Sequence, residues 1–99
     1  MTPKPDPGTG EPAPGTVTVR YWAAARDAAG VAEDHVDACT VGEALARVRR
    51  IHAHRPRFAE VLGVSSLLLG SAPVTLRDID RLPVPPGEVV EVLPPFAGG

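Results

Sequence analysis

Residues 16–22, TVTVRYW, alternate strictly along the chain: Val17, Val19 and Tyr21 fall on one side, Thr18, Arg20 and Trp22 on the other. A period of two with β-branched residues predicts a strand with one buried face. The following AAARDAAG closes on Gly30 and reads as a helical turn or loop. Residues 31–38, VAEDHVDA, read as a second, weaker strand around Val36.

The period then changes. Thr40-Val41-Gly42-Glu43 has the form of a capping box, with Thr40 placed to cap free amides and Glu43 to reach back. Behind it Val41, Ala44, Leu45, Val48 and Ile51 fall on one helical face, and Arg47, Arg49 and Arg50 fall away from it. Pro56 disfavours helix at Arg55, so this helix should stop near residue 54. The stretch 57–64, RFAEVLGV, reads as an irregular turn with apolar plugs at Phe58, Val61 and Leu62. SSLLL (65–69) reads as a short buried strand that turns at Gly70-Ser71 into a return strand from Val74. Residues 77–87 form a turn-rich connection. EVVEVL (88–93) is a last strand, with Val90 and Val92 on one face and Val89, Glu91 and Leu93 on the other.

The predicted order is β-β-α-β-β-β, an α+β domain with one main helix on one mixed sheet. One helix covers only one sheet face, so the other is left to solvent or to a partner.

Residues 1–15, MTPKPDPGTGEPAPG, hold five prolines and three glycines and almost nothing apolar. Such a segment cannot offset its ordering entropy and is expected to be disordered. Its PxPxP spacing fits an SH3-like groove, but a solvated tail accounts for it more simply. The expected organisation is a tail over 1–15, a domain over 16–93 and a flexible end over 94–99.

The 99 residues, 43% hydrophobic and 4% aromatic, suit one domain with an aliphatic core. A net charge of -2 argues against sequence-independent nucleic-acid binding. A single cysteine, Cys39, excludes an internal disulfide and a multi-cysteine zinc site. With no secretory signal, it points to the cytoplasm. The apolar runs are too short to span a bilayer. Nine arginines stand against one lysine, Lys4, so the expected folded part has no amine for an isopeptide bond.

The last residues are LPPFAGG. Pro94 and Pro95 stop strand pairing and stiffen the exit. Extended, residues 94–99 reach up to about 20 Å. Phe96 is a large apolar residue suited to a partner's pocket. Gly98 and Gly99 carry no side chain, so they fit a channel too narrow for a Cβ. A carboxylate on Gly99 would be unhindered for attack on a nucleotide α-phosphate.

YWAAARDAAG (21–30) and PGEVVEVLPPFAGG (86–99), joined by a capped helix, resemble the small subunits of molybdopterin synthase, ubiquitin-like sulfur carriers of the β-grasp fold. The resemblance covers about residues 16–99. It implies that an adenylating, E1-like enzyme activates the Gly99 carboxylate with ATP and that a sulfur donor then leaves a thiocarboxylate. The synthase large subunit would receive the tail and pass sulfur to a cyclic pyranopterin. Two sulfurs need two carriers, which implies a heterotetramer. Partner contacts of the tail would come from Pro94, Pro95, Phe96 and Gly98. Trp22 is read from parity instead: it shares the outer side of the first strand with Thr18 and Arg20, where a lone aromatic needs no explanation, and it becomes a partner-binding candidate if Leu93 or Leu69 joins it. No stably bound cofactor, metal, nucleic acid or membrane is implied. The chain departs from the usual form in its extra residues 1–15, in Trp22 where Phe is common, and in a longer connection over 75–86. The same ending also suits a sulfur carrier for thiazole, cysteine or tRNA thiolation, or a ubiquitin-like protein modifier.

The remaining candidates have simpler readings. Cys39 precedes the helix cap, where a small apolar residue packs; a sulfur-relay thiol is the alternative. His52 and His54 are two apart and share no helical face, so they make a poor ligand pair. The five arginines of 47–57 read as a solvated face near a helix C-terminus, with an acidic partner or phosphate as the alternative. The chain shows no acid/base pair beside a nucleophile and no Gly-rich phosphate loop. A carrier needs neither, because its reactive atom is its own terminus.

Overall fold

The structure, a computed structural model, describes residues 16–75, 77–85 and 87–95. The expectations for residues 1–15, Phe96, Gly98 and Gly99 lie outside the described residues.

Among the described residues the chain runs β1 (Thr16–Tyr21), α1 (Ala23–Ala29), β2 (Glu33–Asp37), α2 (Val41–Ile51), α3 (Pro56–Val64), β3 (Ser66–Leu69), β4 (Ala72–Val74) and β5 (Val89–Leu93). The strands form one mixed sheet in the order β2-β1-β5-β3-β4. The first and last strands lie side by side and parallel, with Tyr21 opposite Val92; β2 pairs with β1, and β3 with β4 and β5, antiparallel.

The alternation in β1 sorts its residues as expected: Val17, Val19 and Tyr21 are buried and Thr16, Thr18 and Arg20 are not. Val90 and Val92 of β5 and Leu67 of β3 continue that inner face. Val41, Ala44, Leu45 and Val48 of α2 close over it, joined by Ala25, Ala28 and Ala29 of α1 and by Phe58 and Leu62 of α3.

The sequence expectation needs three corrections. Among the described residues the 11-residue α2 is the main helix, as expected, but two further helices join it. AAARDAA winds into α1, ended by Gly30 in the left-handed region at φ 78°, where its amide bonds to the Arg26 carbonyl. The expected irregular turn over 57–64 is α3: Pro56 sits in its first turn, where a missing amide costs nothing, and Phe58 and Leu62 lie one turn apart on its buried side.

The third correction concerns the end of α2. The helix stops at Ile51 rather than near residue 54, and Ile51 is 45% exposed where it was expected on the buried face. From Val48 the 3.6-residue period falls between positions 51 and 52. His52, the C-cap, takes the buried place instead, 5% exposed. One half of the capping box forms as expected, the Glu43 amide donating to Thr40 Oγ1 at 3.1 Å; the other half is shifted by one residue, Glu43 Oε1 accepting at 2.6 Å from the amide of Cys39, which precedes the cap.

Candidate functional site

Parallel pairing of β1 with β5 decides where the tail leaves. Because Tyr21 lies opposite Val92, Trp22 comes level with Leu93, and the Trp22 amide donates to the Val92 carbonyl at 3.2 Å. Trp22 keeps extended backbone and outward parity, and it is 45% exposed. Ala23 then takes a left-handed φ of 50°, which turns the chain off the sheet into α1 and leaves the indole on the outer face. Trp22 Nε1 donates to Glu91 Oε1 at 2.9 Å, fixing the ring over β5.

The outer face divides in two. Toward β2 it is polar: Arg20 Nε meets Glu33 Oε1 at 3.3 Å, His35 Nε2 lies 3.1 Å from Glu33 Oε2, and Thr18 Oγ1 lies 3.1 Å from His35 Nδ1. Toward β5 and β3, Trp22 is joined by half-buried Val89, Leu93 and Leu68, whose registers put them on the same side as Glu91. The described helices pack on the other face.

At the exit Pro94 is buried and Pro95 exposed. The rigid pyrrolidine of Pro94 is thus part of the packed domain. Of the expected contact residues, the structure places Trp22 level with Leu93, and Pro94 and Pro95 follow Leu93 directly in the chain.

No protein-family model matches the chain, and no curated protein matches it in sequence. Solved structures do match. One is the complex of subunits 1 and 2 of molybdopterin-converting factor from Helicobacter pylori, with a TM-score of 0.60 at 24% identity over 85% of this chain and 99% of that one. Small archaeal modifier protein 1 from Haloferax volcanii matches with a TM-score of 0.68 at 22% identity, covering 86% and 100%. A candidate molybdopterin converting factor subunit 1 from Pyrococcus furiosus gives 0.64 at 22%, covering 82% and 98%. The chain has the ubiquitin-like β-grasp fold.

In this β-grasp domain the central strands β1 and β5 carry the Trp22–Leu93 surface, and the Pro94-Pro95 exit leaves from its end. Leu69 is not part of that surface. It pairs with Val90 and packs against the core.

Cys39 is exposed, against the expectation that it packs. Its amide is held by Glu43 and its carbonyl accepts from Val84, so neighbouring Ala38 takes the buried position. His54 is exposed. Among the described residues no group of three or more His, Cys, Asp or Glu is placed to hold a metal, and no helix is long and apolar enough to cross a membrane.

Sequence reasoning missed one polar cluster inside the domain. Asp34 Oδ2 accepts the Tyr21 phenol at 2.7 Å and lies 2.6 Å from His52 Nε2. The His52 ring also stacks at a tilt on Phe58, with centroids 4.6 Å apart. Burial first, then the hydrogen bond to Asp34 and its charge, push the Tyr21 phenol far above its usual range. The available signal was parity: Asp34 shares a side with Val36, and an acid on an inward position requires a buried partner.

Proposed function

We propose that this protein is a sulfur carrier whose reactive group is the Gly99 carboxyl, and that it serves as the small subunit of a molybdopterin synthase. One observation carries the reading. The last strand runs parallel to the first at the sheet centre, so an exposed aromatic–aliphatic surface, Trp22 with Leu93, stands at the base of a stiff exit leading to Phe-Ala-Gly-Gly. A docking surface and a thin reactive tail then act together. The surface holds the partner, and Phe96, Gly98 and Gly99 thread its channel.

The chemistry needs no catalytic group on this chain. The Gly99 carboxylate attacks the α-phosphate of ATP on an activating enzyme, and pyrophosphate leaves. A sulfur donor displaces AMP and leaves a thiocarboxylate. That group is a better nucleophile than a carboxylate, and it delivers sulfur to a cyclic pyranopterin on the large subunit. The Helicobacter pylori structure is a complex of subunits 1 and 2, which supports a large-subunit partner. The site of action is the cytoplasm, where ATP and the activating enzyme meet the carrier.

The test is intact-protein mass spectrometry after incubation with an activating enzyme, ATP and a sulfur source. One oxygen exchanged for one sulfur at Gly99 is expected. Deleting Gly99, or adding one residue after it, abolishes the exchange and leaves the fold intact. Charging of the extended variant without prior trimming would sink the reading. The small archaeal modifier proteins among the structural neighbours favour a second reading, protein modification through the same carboxyl. Isopeptide conjugates on partner lysines, in place of free thiocarboxylate, would select it.

A further inference from the structure

The sheet has a second accessible feature, remote from the tail. Among the described residues β2 is an edge strand. The Tyr21 amide donates to the Ala32 carbonyl at 2.9 Å, which makes Tyr21 and Ala32 a hydrogen-bonded antiparallel pair. Such pairs alternate along a ladder. Val19 with Asp34 and Val17 with Val36 therefore belong to the same class. Glu33, His35 and Asp37 fall between them and turn their peptide N–H and C=O away from β1, toward the open edge.

Beside that edge lies a cleft of about 270 Å³ lined by Val36, Asp37, Arg47, Arg50 and Ile51. Arg47, Arg50 and Ile51 stand at i, i+3 and i+4 on one side of α2. Ile51 is 45% exposed in the cleft although it is a large aliphatic residue. The two flanks differ in charge. The helix side offers two guanidinium groups around an aliphatic floor. The open side offers Asp37 and a Glu33 carboxylate that already meets Arg20 and His35.

We propose that the β2 edge and the α2 cleft bind an extended segment of a partner protein that adds to the sheet as a sixth strand beside the five described. Side chains of an added strand alternate between the two flanks. The segment the surface fits therefore carries aliphatic and carboxylate side chains on one parity, against Ile51, Val36, Arg47 and Arg50. It carries basic or neutral side chains on the other, against Glu33 and Asp37. Main-chain bonds supply affinity and the alternate side chains supply specificity. A second copy of β2 does not fit, because antiparallel pairing of two EDHVD edges sets acids opposite acids. Residues 1–15 do not fit either, since prolines at 3, 5, 7, 12 and 14 lack the amides a ladder needs. The inference is independent of the Gly99 chemistry.

The test is an NMR titration of the full ¹⁵N-labelled chain with the blocked peptide Asp-Lys-Ile-Thr-Val-Lys-Glu, which has this alternation. Saturable shifts of the amides of Glu33, His35, Asp37 and residues 47–51 are expected, with slower hydrogen exchange on the β2 edge. A peptide of the same composition with its parity scrambled should not saturate. Arg47→Glu with Arg50→Glu should weaken binding by about tenfold or more, at unchanged melting temperature. Ile51→Ser, which changes only a half-exposed cleft residue, gives a second variant should the charge reversal unfold the chain. Trp22→Ala should leave the binding unchanged. Equal binding of the scrambled peptide, undiminished binding by both cleft variants, shifts centred on Trp22 and Leu93, or no saturable binding would each overturn the proposal.

Discussion

Nε2 of His52 lies 2.6 Å from Oδ2 of Asp34, and that same oxygen accepts the phenol proton of Tyr21 at 2.7 Å. One carboxylate thus ties together the first strand, the edge strand and the end of the longest helix. Phe58 seals the cluster from α3, with its ring centroid 5.5 Å from that of Tyr21 and 4.6 Å from that of His52.

Asp34→Ala leaves a buried phenol and a buried imidazole without their acceptor. The expected loss of stability is about 3 kcal/mol. Asp34→Asn keeps one acceptor oxygen and should lose less. Urea denaturation of the two variants checks the order, and equal losses would show that the oxygen is not the shared acceptor.

The Tyr21 phenol ties stability to alkaline pH. Its ordinary value is 10.0, and burial, the bond to Asp34 and the Asp34 charge all raise it in the folded state. The folded state therefore holds this proton more tightly than the unfolded chain. Its contribution is complete below the unfolded value and is lost as pH rises above it, at about 1.4 kcal/mol per pH unit. Tyr21 is the one tyrosine, so the near-ultraviolet absorbance of tyrosinate reports it alone. Ionisation at the ordinary value in the folded protein would contradict the buried bond. Tyr21→Phe should flatten the alkaline limb.

Trp22→Ala removes a side chain that is 45% exposed and bonded to Glu91. Stability should change by less than about 1 kcal/mol, whereas affinity for a large subunit or activating enzyme should fall by about tenfold or more. Calorimetric titration and thermal melting separate the two. A stability loss in the range of a buried tryptophan, about 3–5 kcal/mol, with affinity unchanged would place the indole in the core.

Thr40→Ala removes the side-chain acceptor for the Glu43 amide and should cost about 1 kcal/mol. Glu43→Ala removes the acceptor for the Cys39 amide. Both act on one helix end, so the double variant should lose less or more than the two single losses added. Strict additivity in denaturant melts would show two independent contacts.

Much of this was legible in the residues. The parity of β1 and β5, the capping box and the Pro94-Pro95 exit are local patterns, fixed by side-chain alternation, by hydrogen-bond geometry within one turn and by the proline ring. The missed helices carried weaker local signals: Pro56 before Phe58 and Leu62, and a short alanine run before Gly30. Helices this short are marginal alone and form because their faces are buried.

Spacing along the chain was enough to assign the apolar faces of β1, β5 and most of α2, and to end the last strand at Pro94. It carries nothing about which strands become neighbours. The parallel pairing of β5 with β1 is a long-range choice, and it places Trp22 beside Leu93 at the base of the tail. The inner position at the end of α2 was settled the same way, in favour of His52 over Ile51. Periodicity leaves positions 51 and 52 equivalent. The choice fell to an Asp34 carboxylate that could be buried only with a donor within reach, on a strand 18 residues earlier in the chain.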